Sequence, residues 1–155
     1  MIESLDDAGE ELKRVDHLIY VSLKYTRTVD ILLNTLNRMI DAYTFMLDAL
    51  LEDAVEKKKI PEIPGTPIEK GNMVKQLYEE DEQIKENVEL YFLLRKLHRA
   101  PNPERTQEYR RHVAMTTFID GRKEIVNIDI ISNYYHFQKE FYLRLRKMLG
   151  GESED

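Results

Sequence analysis

Between Val29 and Leu50 the positions Val29, Leu32, Leu36, Met39, Tyr43, Met46 and Leu50 alternate spacings of three and four. Leu33, Ile40 and Leu47 widen the stripe to a second flank. That period belongs to an α-helix, and a stripe this wide needs packing neighbours on two sides. The chain is therefore expected to build a helical bundle around this segment. The same phase runs back through Tyr25, Leu18 and Val15. One helix from residue 8 to residue 58 would be about 75 Å long, too long for a compact domain of this size. A break is expected at Tyr25-Thr-Arg-Thr28-Val29, where β-branched residues disfavour helix and a threonine can cap a new start.

Turn chemistry divides the remainder. Ile60-Pro-Glu-Ile-Pro-Gly-Thr-Pro67 cannot continue a helix, and Thr66-Pro67-Ile68-Glu69 supplies a capping box with proline at the first helical position. Gly71-Asn72 is a candidate interruption. The next helix is expected from about Met73 to His98, with Leu77, Ile84, Val88, Tyr91 and Leu94 facing inward. Pro101-Asn102-Pro103 ends it, and an Asn102 cap is expected to open a short helix through about Met115. Asp120-Gly121 between β-branched runs predicts a two-stranded hairpin near residues 116–126. A last helix starts at about Asp129 or Ser132, packs Tyr134, Phe137, Phe141, Leu145 and Met148, and stops at Gly150-Gly151. The expected fold is all-α: one domain over 1–155, about five helices with a core over 8–149, and flexible ends at 1–7 and 150–155.

At 155 residues without a cysteine, the chain must stand on packing rather than on disulfides or thiolate metal sites. The acidic Met-Ile-Glu-Ser-Leu-Asp-Asp start lacks the character of a signal peptide, and no apolar run approaches the roughly 18 residues of a membrane span. A cytoplasmic protein without membrane contact is expected. Its net charge is −6, yet Arg95 to Lys123 holds eight basic residues (Arg95, Lys96, Arg99, Arg105, Arg110, Arg111, Arg122, Lys123) against Glu104, Glu108 and Asp120. Such asymmetry points to a face that meets an anion.

If residues 103–115 are helical, Arg105 and His112 lie seven apart, roughly 700° of rotation and about 10.5 Å along the axis, and share a face. A guanidinium and an imidazole so placed can converge on one phosphate, the first as fixed charge and the second as proton carrier. Glu108 lies between them, either quenching Arg105 or retuning His112. Tyr109 on the flank stacks a base or completes the core. Glu79, Glu82, Glu86 and Glu89 share one face of the Met73–His98 helix. They read as a solvated stripe, or else as the magnesium-holding carboxylates of an all-α nucleotide pyrophosphatase. His17 and His136 read as structural or solvated, and His98 as a helix-end charge. The common phosphate-loop, hydrolase-elbow and di-iron motifs do not occur, and no metal or cofactor is expected.

The helix-turn-helix from Leu12 to Leu51, with Lys24-Tyr-Thr-Arg-Thr-Val-Asp30 at its turn, is followed by a long helix, an arginine-rich segment and an aromatic last helix. This layout resembles the HEPN superfamily over most of the chain. HEPN ribonucleases carry an Arg followed after four to six residues by His, and Arg105-Thr-Gln-Glu-Tyr-Arg-Arg-His112 meets the longest of those spacings. Thr106 stands where the family usually has Asn or another polar residue, and Val113-Ala114-Met115 where a Tyr often trails the His. The resemblance implies a homodimer whose basic faces meet across a cleft. It also implies either a non-catalytic module that binds RNA, a nucleotide or an antitoxin-like protein partner, or a metal-independent endoribonuclease. In the second case Arg105 and His112 are catalytic. In the first, Arg95, Arg99, Tyr109, Arg110 and Arg111 line the binding face.

Overall fold

A computed structural model describes residues 1–150 of the chain. Helix α1 (Ile2–His17) continues through a π-helical stretch, Leu18–Ser22, and a closing turn, Leu23–Tyr25. Three extended or irregular residues follow, and α2 (Val29–Glu56) begins where the β-branched cluster predicts, with Thr28 Oγ1 accepting from the Ile31 N–H at 3.3 Å. Helix α3 (Pro67–Leu77) starts on the expected cap, Thr66 Oγ1 accepting from the Glu69 N–H at 3.2 Å. Then come α4 (Glu82–Arg99), strands β1 (Glu104–Thr106), β2 (Ala114–Ile119) and β3 (Arg122–Asn127), and α5 (Ile128–Leu149). The fold is mainly helical with a small antiparallel sheet in the order β1-β2-β3. No helix among the described residues is long and apolar enough to cross a membrane.

Helix α2 is the centre of the molecule, packed by α1, α3, α4 and α5. Its predicted stripe is buried from Val29 to Leu50, including Leu36, Met39, Tyr43, Met46 and Leu50, with Leu33 only partly buried. Polar groups inside this core are paired. The Tyr43 hydroxyl donates to Asn87 Oδ1 at 2.5 Å, and Gln138 Nε2 donates to the Met39 carbonyl at 2.8 Å. Burial pushes the Tyr43 hydroxyl well above its ordinary pKa, so it stays a neutral donor. On α5, Tyr135, Phe141 and Leu145 are buried within the same chain.

Four expectations need correction. The helix foreseen from Met73 to His98 is two helices. Four consecutive carboxylates, Glu79 to Glu82, repel one another along a helix, and Asp81 starts α4 anew by accepting the Ile84 N–H at 3.1 Å. Gly71 does not interrupt α3. It lies inside the helix because a Cβ there would sit 2.5 Å from the Phe92 ring. Residues 2–7 are not a flexible end, since Leu5 is fully buried and the Met1 amino group pairs with Glu52 at 2.8 Å. The stretch 151–155, expected to be flexible with Gly150, lies outside the described residues.

The largest correction concerns residues 103–115, which form no helix. Val113 and Met115 are the only large aliphatic residues there, so a helix would have had no apolar face to bury. Asn102 (φ +47°), Gln107 (φ +56°) and Tyr109 (φ +68°) adopt left-handed backbone, which ends any right-handed helix. The segment instead pairs Glu104, Arg105 and Thr106 with Thr116, Met115 and Ala114. The predicted hairpin is present as β2 and β3, turning at Asp120 (φ +52°) and Gly121 (φ +80°) as a two-residue turn with both residues left-handed requires.

Tyr43→Phe should cost about 1–3 kcal/mol in denaturant unfolding, because it leaves the buried Asn87 oxygen without its donor. A second expectation concerns acid. Arg144 and the Ile84 N–H hold the Asp81 carboxyl below the usual carboxylate range, Arg144 foremost. A depressed folded-state pKa contributes stability above the unfolded value of about 3.9, lost as pH falls through the lower folded value. Unfolding curves of wild type and Asp81→Asn should therefore differ at pH 7 and converge below about pH 4.

Candidate functional site

The eight basic residues between Arg95 and Lys123 are not one face. Strand β2 is six residues, about 20 Å at roughly 3.3 Å per residue, and separates two groups. At one end stand Lys96, Arg122 and Lys123, beside the β2–β3 turn, with Lys96 paired to Asp120 at 2.8 Å. At the other end the β1–β2 loop carries Tyr109, Arg110, Arg111 and His112, all exposed. Arg99 ends α4, exposed. Arg95 is half-buried with its guanidinium 5.8 Å from the Tyr91 ring centre, so it packs on the bundle. Among the described residues, ion pairs occupy only Lys96 and Arg105 of the eight.

The β1–β2 loop is tied to the start of α2. Glu108 Oε2 accepts the Val29 N–H at 2.8 Å, filling the partly positive helix N-terminus, and lies 3.5 Å from Arg105 Nη1. Arg105 Nη2 donates to Asp30 Oδ1 at 3.1 Å. One guanidinium thus sits between two carboxylates. The Tyr109 N–H donates to the Arg27 carbonyl at 2.5 Å. Within the loop, the Arg110 N–H bonds the Gln107 carbonyl at 3.0 Å and the Val113 N–H bonds the Arg110 carbonyl at 3.1 Å. These bonds fix the backbone, while the side chains of Arg110, Arg111 and His112 are exposed and make no ion pair among the described residues.

The shared helical face proposed for Arg105 and His112 is absent. Arg105 projects from a strand towards α2, on the same side as its partner Met115, while His112 follows on the exposed loop. Of the two readings of Glu108, the structure shows the quenching ion pair and adds the helix cap. Tyr109 is 76 % exposed and completes no core. The loop also meets Arg27, which spacing alone did not single out as a site and which follows Lys24 and Tyr25 at the close of the N-terminal helix. The signal available was the basic-aromatic turn Lys24-Tyr-Thr-Arg27, read there only as a helix break. Arg27 Nε is buried without a hydrogen-bond partner among the described residues.

Elsewhere, Glu79 lies between α3 and α4, so the four-glutamate stripe is broken. Glu82 pairs with Lys85 and Glu89 with Lys75. Among the described residues, no three carboxylates or imidazoles gather as metal ligands. His136 Nε2 lies 2.9 Å from the Tyr20 hydroxyl, and the Tyr135 hydroxyl donates to Asp16 at 2.9 Å, joining α5 to the π-helical stretch. His17 and His98 are exposed. Comparison of the chain with protein-family models, with curated proteins and with solved structures returns no match.

Glu108→Ala should lower stability by about 1 kcal/mol in denaturant unfolding through loss of the α2 cap. His112→Ala, at an exposed position without partners, should stay within about 0.5 kcal/mol of wild type.

Proposed function

We propose that this chain is a HEPN-like helical module that binds RNA through the β1–β2 loop without cutting it. The observation that carries the reading is the loop itself: Arg110, Arg111 and His112 are exposed, free of carboxylate partners among the described residues, and mounted on a hydrogen-bonded backbone. In a chain of net charge −6, unpaired arginines held this way favour a polyanion over an acidic surface patch of the chain's own. RNA phosphates accept from guanidinium forks in pairs, and arginine retains its charge at any working pH.

Catalysis is the weaker reading because its two residues are differently engaged. Transesterification of RNA needs a proton carrier beside the attacked phosphate and an open cationic group for the charge that develops. His112 is exposed, but Arg105 is held between Asp30 and Glu108. A phosphate there would compete with two carboxylates already beside the guanidinium.

The test is a pool of mixed structured and single-stranded RNA in EDTA, followed for binding by anisotropy and for cleavage by gel. Wild type is expected to bind without cutting. Arg110→Ala combined with Arg111→Ala should weaken binding and flatten the log–log salt slope by about 1.4, from roughly 0.7 per phosphate contact on a single strand. Cleavage that disappears in both Arg105→Ala and His112→Ala would replace this reading with the ribonuclease.

A further inference from the structure

Tyr25 and Tyr109 are the most exposed large apolar side chains among the described residues, at 78 % and 76 %. They belong to segments far apart in sequence, yet the backbone hydrogen bond from Tyr109 N–H to the Arg27 carbonyl joins those segments. Tyr25 is two residues from Arg27, so its Cα lies within about 7.6 Å of that junction at 3.8 Å per residue. Tyr25 and Tyr109 therefore stand at one corner of the fold, with Lys24 preceding the first and Arg110 and Arg111 following the second in sequence. Arg27 carries the junction itself, and its Nε is buried without a partner among the described residues. The acidic residues that border this corner, Asp30 and Glu108, are engaged with Arg105 and the α2 cap.

Resting on the RNA-binding reading above, we infer that this patch takes single-stranded nucleic acid, with Tyr25 and Tyr109 as stacking platforms for unpaired bases. Water-exposed aromatic rings beside unpaired cations match the chemistry of a single strand, which offers base faces and phosphates together. A duplex hides its base faces and leaves the rings without partners. An acidic peptide would use the arginines and leave the rings idle. Tyr109 is held in left-handed backbone, a conformation unfavourable for a bulky residue, with its ring in solvent. Neither core packing nor a turn requirement accounts for tyrosine there.

The experiment measures affinity of the full-length protein for a 12-nucleotide oligouridine and oligoadenine RNA, a 12-base-pair RNA duplex and polyglutamate, at several salt concentrations. Tyr25→Leu and Tyr109→Leu retain bulk without the aromatic face, and Tyr25→Phe and Tyr109→Phe retain the face without the hydroxyl. Circular dichroism confirms that each variant is folded. The expected result is preference for the single strands, a loss of roughly tenfold per Leu substitution, near-wild-type binding by the Phe variants, and an unchanged salt slope in all four. Equal affinity for duplex and single strand, or Leu variants that bind as wild type does, would overturn the stacking role. If binding then still depended on Arg110 and Arg111, the RNA-binding reading would stand without it. Polyglutamate bound as tightly as RNA, or no binding to any of the probes, would overturn both.

Discussion

Helix α2 can give only one polar stripe, through Asp30, Asn34, Asn37 and Asp41, to water. Its buried residues run around most of the circumference, and helices from before and after it in the chain must all close on it. The arrangement leaves few options at its ends. A helix packed this thoroughly emerges with backbone N–H groups that need acceptors, and at Val29 the acceptor comes from Glu108, a residue 79 positions further on. The demand of one helix terminus therefore helps to place the loop that follows β1.

That placement explains why the proposed site is made of two distant stretches. The loop is drawn against the α1–α2 connection by Glu108 and by the backbone bond to Arg27. Arg105 then balances two carboxylates that would otherwise crowd each other. Among the described residues, Arg110 and Arg111 remain without a carboxylate partner. A chain that is acidic overall thus presents local positive charge at one corner, while Lys96, Arg122 and Lys123 lie at the other end of the sheet and Arg95 packs on Tyr91.

The parts of this fold legible in sequence were those governed by neighbours within about four residues. The apolar period of α2, the Thr28 and Thr66 caps and the Asp120-Gly121 turn each carry their own physical cause. Residues 103–115 were misread because β1 is only three residues long and finds its partner about ten positions on, beyond the reach of local spacing. Arginine and histidine seven apart look alike on a helix and in a loop. The proposed site draws on residues of both kinds: Tyr109, Arg110 and Arg111 stand out in the sequence by charge and aromatic character. Tyr25 was visible only as the end of a helix, since its relation to Tyr109 is a tertiary one. Arg95 looked equivalent to Arg110 until its stacking on Tyr91 was seen.

The π-helical stretch Leu18–Ser22 bears on how this corner tolerates change in chain length. A π-bulge absorbs one residue beyond the α-helical count, so the turns on either side keep their faces. Leu23 remains buried and Tyr25 remains exposed beyond it. Removing one residue inside the bulge would leave an ordinary α turn with both flanks in phase. The same removal within Ile2–His17 would rotate one flank against the other by about 100°. The N-terminal helix thus contains a length buffer, and it sits immediately before the residues that meet the β1–β2 loop.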